Sequence, residues 1–228
     1  VDNLVLRARN LQKDFTKGKE KLSVVKGVSL DIVAGDCIAI MGSSGAGKST
    51  LLHMLGTLDK PTHGEVYFGA RNTNVWKLSD EEISDFRNRN LGFVFQFHYL
   101  LPEFSALENV MMPALISGMH VDEAKKKATE LLQFIGLRHR MEHRPGELSG
   151  GEQQRVSIAR SVILKPKLLL GDEMTGNLDS ENSGRVLDLL LDLNKEFGIA
   201  ILIVTHDNDV ARRMKRVLTM KDGKIIAS

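Results

Sequence analysis

The chain has 228 residues, 42% hydrophobic and 26% charged, which is the balance of an ordinary soluble globular protein with one large or two small domains. A formal net charge of +2 is too small to argue for nucleic acid or an anionic membrane surface as a partner. The single cysteine, Cys37, excludes an internal disulfide and fits a reducing cytosolic setting, and no apolar run approaches the ~20 residues that a membrane span needs. Nothing at the start resembles a signal peptide. The chain opens on Val1 rather than Met, so residues of the natural start are expected to be missing.

Residues 4–11 alternate roughly, as a half-exposed strand does, and Val24 to Ile32 reads similarly after a charged turn at Lys17-Gly18-Lys19-Glu20-Lys21. Phe15 is expected in a polar loop between these strands. An exposed aromatic there can stack on an adenine ring, or it can simply anchor the loop. Asp36 to Met41 is short, apolar and partly β-branched, as in a buried strand, with Cys37 as a small core hydrophobe. Thr50 to Leu55 suits a helix. Between them lies Gly42-Ser43-Ser44-Gly45-Ala46-Gly47-Lys48-Ser49.

Beyond Pro61 and Gly64, Glu65 to Phe68 reads as a strand. Ser79-Asp80-Glu81-Glu82 has the capping-box pattern and opens a helix through about Arg89. Leu91 to Phe95 is a short buried strand ending on Gln96. Residues 97–147 then hold helical patterns and little strand. The clearest runs from Asp122 to Ile135, with Ala124, Ala128, Leu131, Leu132 and Ile135 on one face and Gly136 as a stop. Gly151 to Leu164 is a helix closed by Pro166, and Leu168-Leu169-Leu170 is a central strand followed by Gly171-Asp172-Glu173. Ser180 to Phe197 is a long amphipathic helix. Ala200 to Val204 is unbroken apolar sequence, as expected of a strand buried on both faces of a parallel sheet, and it ends on Thr205-His206-Asp207. A hairpin of Arg216 to Met220 and Lys224 to Ala227 turns on Asp222-Gly223. The pattern describes an α/β core of residues 1–96 and 156–228 with a helical subdomain of residues 97–155 inserted.

A strand, a glycine-rich turn and a helix opening on Lys48-Ser49 make a phosphate cradle. Gly45 and Gly47 let the backbone curl so that successive N–H groups converge, and the helix start adds its positive dipole end. Lys48 supplies a mobile charge for the β- and γ-phosphates, and the Ser49 hydroxyl can ligate Mg²⁺. The motif therefore predicts a nucleoside triphosphate. In an open α/β sheet the ligand sits at the carboxyl ends of the strands, and three further ends carry polar residues: Gln96, Asp172-Glu173 and His206. Asp172 suits a metal contact, Glu173 can polarise the water that attacks the γ-phosphate, His206 can hydrogen-bond that phosphate, and Gln96 can reach the metal or the water. Taken singly, each is equally a helix cap or a structural residue. Leu148-Ser149-Gly150-Gly151-Glu152-Gln153, about 100 residues beyond Lys48, opens a helix on a second nest of N–H groups. Two copies facing head to tail could then close each other's nucleotide sites.

With both motifs in place, the whole chain resembles the ATP-binding-cassette ATPases, an α/β P-loop fold with an antiparallel β portion near its N-terminus. The resemblance implies ATP hydrolysis with Mg²⁺ in a dimer formed on ATP. It implies Phe15 at the adenine-stacking position, Gly42 to Thr50 as the phosphate loop, and Gln96 as the loop glutamine. Ser149, Gly150 and Gly151 match the signature, Asp172 the metal-binding acid, Glu173 the catalytic base and His206 the switch histidine. Asn177-Leu178-Asp179 stands where the family's dimer-contacting turn lies. Two departures stand out: Met174 where the family usually has Pro, and Gly171 where it usually has Ala.

The segment Gln96-Phe97-His98-Tyr99-Leu100-Leu101-Pro102, with Leu107-Glu108-Asn109-Val110 and Thr175-Gly176-Asn177-Leu178-Asp179, is similar to the ATPase subunits of bacterial lipoprotein-releasing systems. That resemblance implies two integral-membrane permease subunits as partners, lipoprotein as cargo, no nucleic acid, and a peripheral place on the cytoplasmic face of the inner membrane. Relatives serving macrolide-export permeases, or cell-division permeases as a non-transport scaffold, share these motifs and remain alternatives. In this group the region after Gln96 meets the permease's cytoplasmic helix, whereas its apolar residues can equally be core.

Overall fold

The computed structural model describes residues 3–18, 20–69 and 73–227. Of the expected charged turn, Lys19 lies outside them. Two sheets organise the chain. The first is antiparallel, with strands β1 (Leu4–Lys17), β2 (Glu20–Val33), β4 (His63–Phe68) and β5 (Thr73–Asn74) in the order β2-β1-β4-β5. The second holds β3 (Cys37–Met41), β6 (Leu91–Phe95), β7 (Leu168–Asp172), β8 (Ala200–Thr205), β9 (Arg216–Lys221) and β10 (Lys224–Ala227) in the order β10-β9-β3-β8-β7-β6. From β9 to β6 every neighbour is parallel; only the terminal hairpin is antiparallel.

β8 sits at the centre of that sheet with all six residues buried. Its side chains divide by parity, as a pleated strand requires. Ile201 and Ile203 join the core formed with the helices, while Ala200, Leu202 and Val204 join the core under the antiparallel sheet. Cys37 and Ala39 against Ile38 and Ile40 divide the same way in β3. The parallel sheet is thus covered on both faces, which is why its strands read as continuous apolar runs.

Helix α1 (Lys48–Leu55) follows β3, and α2 (Asp80–Asn90) opens on the expected capping box, with Ser79 Oγ accepting from Glu82 N and the Glu82 carboxylate accepting from Ser79 N. Between β6 and β7 come α3 (Ala106–Ile116), α4 (Val121–Phe134) and α5 (Gly150–Val162). In α4, Ala124, Ala128 and Leu132 are buried, and Gly136 ends the helix region at φ 75°. Helix α5 runs unbroken through residue 155, where the core was expected to resume, and packs on α3 and α4 as well as on β6. After β7 come α6 (Ser180–Phe197) and, past β8, the short α7 (Asn208–Arg212).

One placement corrects the sequence reading. Phe15 is not in a loop but in β1, opposite Leu22 of β2. The polar pair Lys13-Asp14 breaks the local alternation. Antiparallel pairing with β2 nevertheless carries the strand on to Lys17, because the ladder is satisfied by a distant partner whatever the local pattern.

Candidate functional site

The parallel register brings four strand ends to one edge of the sheet. Met41 pairs with Thr205, Val204 with Asp172, and Asp172 with Phe95. The phosphate loop, His206, Asp172-Glu173 and Gln96 therefore leave the sheet side by side, as anticipated.

The loop between β3 and α1 is wedged between the two sheets. A Cβ on Gly42 would lie 2.3 Å from the Met220 carbonyl oxygen of β9, so no side chain fits there. Gly47 caps α1 at φ 98°, a conformation that glycine adopts without penalty. The hairpin tip also reaches in, with Gly223 N donating to the Ala46 carbonyl at 3.2 Å. Ser43, Ser44 and Gly45 are exposed at the rim, and Thr50 is half-buried in α1. Lys48 is buried, and its ammonium donates to the carbonyls of Gly42 at 2.8 Å and Ser43 at 3.1 Å, inside the curl of the loop.

Across from the loop, Ser49 Oγ donates to Asp172 Oδ1 at 2.9 Å. His53 Nε2 lies 3.9 Å from the other carboxylate oxygen. Burial pushes the Asp172 carboxyl above the usual carboxylate range, and the Ser49 hydrogen bond only partly offsets this. A half-buried carboxylate paired with a hydroxyl is an all-oxygen donor set suited to Mg²⁺. Among the described residues, no group of three or more His, Cys, Asp or Glu is placed to hold a metal ion by itself. A cation held here would draw its remaining ligands from phosphate and water, the usual habit of Mg²⁺.

Glu173 lies one residue on, half-buried, with Oε2 2.8 Å from His206 Nδ1. His206 is exposed at the end of β8. A pocket of about 390 Å³ joins Ser44, Ser49, Gln96, Asp172 and Glu173, and is walled by Phe95, Phe97 and Tyr99. Gln96 is held by an amide exchange that the sequence did not announce. Its Nε2 donates to Asn177 Oδ1 at 3.0 Å, and Asn177 Nδ2 donates back to the Gln96 carbonyl at 3.2 Å.

The second nest opens α5. Ser149 Oγ accepts from Glu152 N, while the Glu152 carboxylate accepts from Ser149 N at 2.8 Å and from Arg140 Nε at 3.1 Å. Ser149 and Gly150 are exposed. Gly151 is buried, and a Cβ there would lie 2.6 Å from Asn182 Oδ1 of α6. Phe15 is exposed, with the Lys13 ammonium 5.1 Å from its ring centroid. It pairs with Leu22, two residues from Val24, whose carbonyl crowds Gly47.

Sequence reasoning overlooked Gln154. Fully buried on α5, it donates from Nε2 to the Met174 carbonyl at 2.7 Å and accepts the Nδ1–H of His98. Arg160, two turns on, donates to the carbonyls of Tyr99 at 2.7 Å and His98 at 2.8 Å. The helix that begins at Ser149 therefore grips the loop after Gln96 and the turn after Glu173 together. Burial holds the His98 ring below the usual imidazole range, consistent with its neutral, donating form.

A phosphate cradle, a hydroxyl–carboxylate pair and a glutamate–histidine pair along one sheet edge, with a glycine-opened helix start exposed elsewhere on the surface, define a cassette-type nucleotide-binding domain. The family model for ABC transporters matches residues 25–176, and the chain belongs to that family. Its relatives narrow the comparison. It is 52% identical over 221 residues to the lipoprotein-releasing system ATP-binding protein LolD of Xanthomonas campestris pv. campestris strain 8004, covering 97% of this chain and 92% of the relative. Against the LolD of Legionella pneumophila strain Lens it is 49% identical over 227 residues, covering 100% of this chain and 99% of the relative. Among solved structures, the fold matches a dimeric post-hydrolysis state of the ATP-binding cassette MJ0796 bound to ADP and Pi. That match has a TM-score of 0.88 and 41% identity over 96% of both chains. CbiO1 of Clostridium perfringens, part of the cbiONQ transporter complex, matches with a TM-score of 0.86 and 30% identity, over 98% of this chain and 87% of that one.

Proposed function

We propose that the protein is the ATP-hydrolysing subunit of a bacterial lipoprotein-releasing transporter, working as a dimer that closes on ATP. The observation that carries the enzymatic reading is the pair of contacts at one sheet edge, Ser49 to Asp172 and Glu173 to His206, beside the phosphate loop. The lipoprotein-releasing assignment is supported by identity of about half to LolD proteins over nearly the whole chain.

In this reading Lys48 leaves the loop carbonyls for the β- and γ-phosphates, and the N–H groups of residues 43–50 hold the phosphate oxygens. Phe15 takes the adenine ring by stacking. Ser49, Asp172 and Gln96 would hold Mg²⁺, which when bound would neutralise charge on the phosphates. Glu173 accepts a hydrogen bond from the attacking water and orients it, while His206 donates to the γ-phosphate. Ser149, Gly150 and Gly151 of the partner copy cover that phosphate from the other side, so neither copy completes a site alone.

The helical portion, residues 97–155, bears both the signature nest and the membrane-facing surface. Phe97, Tyr99 and Ile116 are strongly exposed. Beside them a cleft of about 720 Å³ runs between α2 and the end of α5, lined among others by Arg87, Phe95, Ile116 and Arg160. Two permease subunits dock here, each through a cytoplasmic helix. Leu100 instead packs against the core, so the segment after Gln96 is divided between interior and interface. No helix among the described residues is long and apolar enough to cross a membrane, and the permease supplies the membrane attachment at the cytoplasmic face of the inner membrane. The test is purification with the permease from native membranes, followed by ATPase assay of the complex with Glu173→Gln. The expected result is lipoprotein in the complex and loss of turnover with ATP-dependent dimers retained. Wild-type turnover in that variant would remove the enzymatic assignment, and cell-wall enzyme regulators in place of lipoprotein would remove the cargo.

A further inference from the structure

Glu173 occupies a backbone conformation that non-glycine residues seldom adopt, with φ at 45°. Such a turn persists only when its surroundings hold it. On one side its N–H donates to the Val204 carbonyl at 3.0 Å. On the other side stands Met174.

Met174 is 1% exposed, and its thioether occupies the space beside Gly171. A Cβ on Gly171 would lie 2.9 Å from Met174 Cε and 3.2 Å from Sδ, with Ile203 Cγ1 at 3.3 Å. The Met174 carbonyl is fixed independently by Gln154 Nε2 at 2.7 Å. One residue is therefore seated by its side chain in a notch of β7 and tied by its main chain to α5. The acid it follows is the one that faces the pocket.

We propose that Met174 is a positioning residue for Glu173 and that Gly171 is its seat, the two acting as a unit. The thioether in the notch and the carbonyl on Gln154 lock the left-handed turn, which aims the Glu173 carboxylate at the attacking water. The inference rests on the reading of Glu173 as the water-orienting base. The nearest atom that a methyl on Gly171 meets is the far end of a flexible side chain, with Ile203 Cγ1 next to it at 3.3 Å, so Gly171→Ala displaces Met174 at a modest cost in stability. Turnover is where the displacement registers, because small misplacements of a reacting group are expensive.

The experiment is a double-mutant cycle on the full chain, reading kcat, ATP KM and thermal midpoint for Gly171→Ala, Met174→Ala and the double variant, with Glu173→Gln alongside. Each single change is expected to lower kcat about tenfold with KM unchanged; Gly171→Ala moves the midpoint little, whereas Met174→Ala, which empties a buried core position, also lowers it. In the Met174→Ala background, where the methyl meets no thioether, Gly171→Ala costs less than about twofold. Additive losses overturn the proposal, and so does a fall in thermal midpoint with kcat of the folded protein unchanged. If Glu173→Gln turns over at the wild-type rate, it is the base reading that fails. If Glu173→Gln is inactive while Gly171→Ala and Met174→Ala both turn over normally, the base reading stands and the coupling is refuted.

Discussion

His206 Nδ1 lies 2.8 Å from Glu173 Oε2, so the residue read as the phosphate sensor and the residue read as the base are joined through their side chains. The histidine is largely exposed and the glutamate side chain mostly covered, so the ring is the partner free to turn away. If the ring turns to a γ-phosphate and leaves Glu173, that carboxylate is freed for water. His206→Ala is expected to lower kcat about a hundredfold, the scale of losing a positioned proton-transfer or hydrogen-bonding group, with ATP affinity changed far less. Single-turnover ATPase measurements beside nucleotide titration separate the two; equal losses in binding and rate would contradict it.

Asn177 holds Gln96 through both its amide atoms. Removing them with Asn177→Ala deletes two hydrogen bonds worth about 1 kcal/mol each and loosens the loop that carries Phe97 and Tyr99. The permease-stimulated ATPase rate is expected to fall up to about tenfold, with the basal rate changed less. Reconstitution with and without the permease reads this directly.

Asp172 illustrates a conflict between stability and activity. Its carboxyl is half-buried, and desolvation holds it above its ordinary range, so the ionised group weakens the nucleotide-free fold. Asp172→Asn keeps an acceptor for Ser49 and removes the charge. The expected outcome is a nucleotide-free protein about 1 kcal/mol more stable, with Mg²⁺-dependent turnover lost by at least about a hundredfold. Calorimetry without nucleotide, paired with ATPase assay, tests both halves.

Glu152 supplies the pH dependence of the signature helix. The Ser149 N–H, then the Ser149 hydroxyl and Arg140, hold its carboxyl below the usual value of 4.5. A depressed carboxylate stabilises the fold above its unfolded-state value, and that contribution disappears as pH falls through the depressed value. Glu152→Gln is therefore expected to cost about 1 kcal/mol at pH 7, shrinking towards zero in acid. Urea unfolding of both proteins across pH 7 to 3 checks the sign.

Much of the site is legible because parallel strands place their ends by rule. Once Leu168 to Leu170 and Ala200 to Val204 read as buried strands, Asp172 and His206 had to emerge beside the phosphate loop. The capping box at Ser79 was equally readable, being local chemistry; the one at Ser149 was read only as a glycine-opened helix start. What escaped depends on distant partners. Phe15 looks like a loop residue until β2 pairs with it. The two-residue β5 and the five-residue α7 are too short to carry a period. Gln154 gives no local sign of burial, since its partners, His98 and the Met174 carbonyl, come from segments far away along the chain. Met174 and Gly171 are visible in the sequence only as two departures from a family pattern. Their meaning as a pair needs the 2.9 Å approach between them.

The hairpin of β9 and β10 has a consequence for biosynthesis. Met220 walls in Gly42, and Gly223 donates to Ala46, so the loop that greets the nucleotide leans on residues translated about 175 positions later. A ribosome that has delivered the whole signature helix and both acidic residues has still not produced a finished phosphate loop. The contacts that brace that loop form only once the closing ribbon has left the exit tunnel.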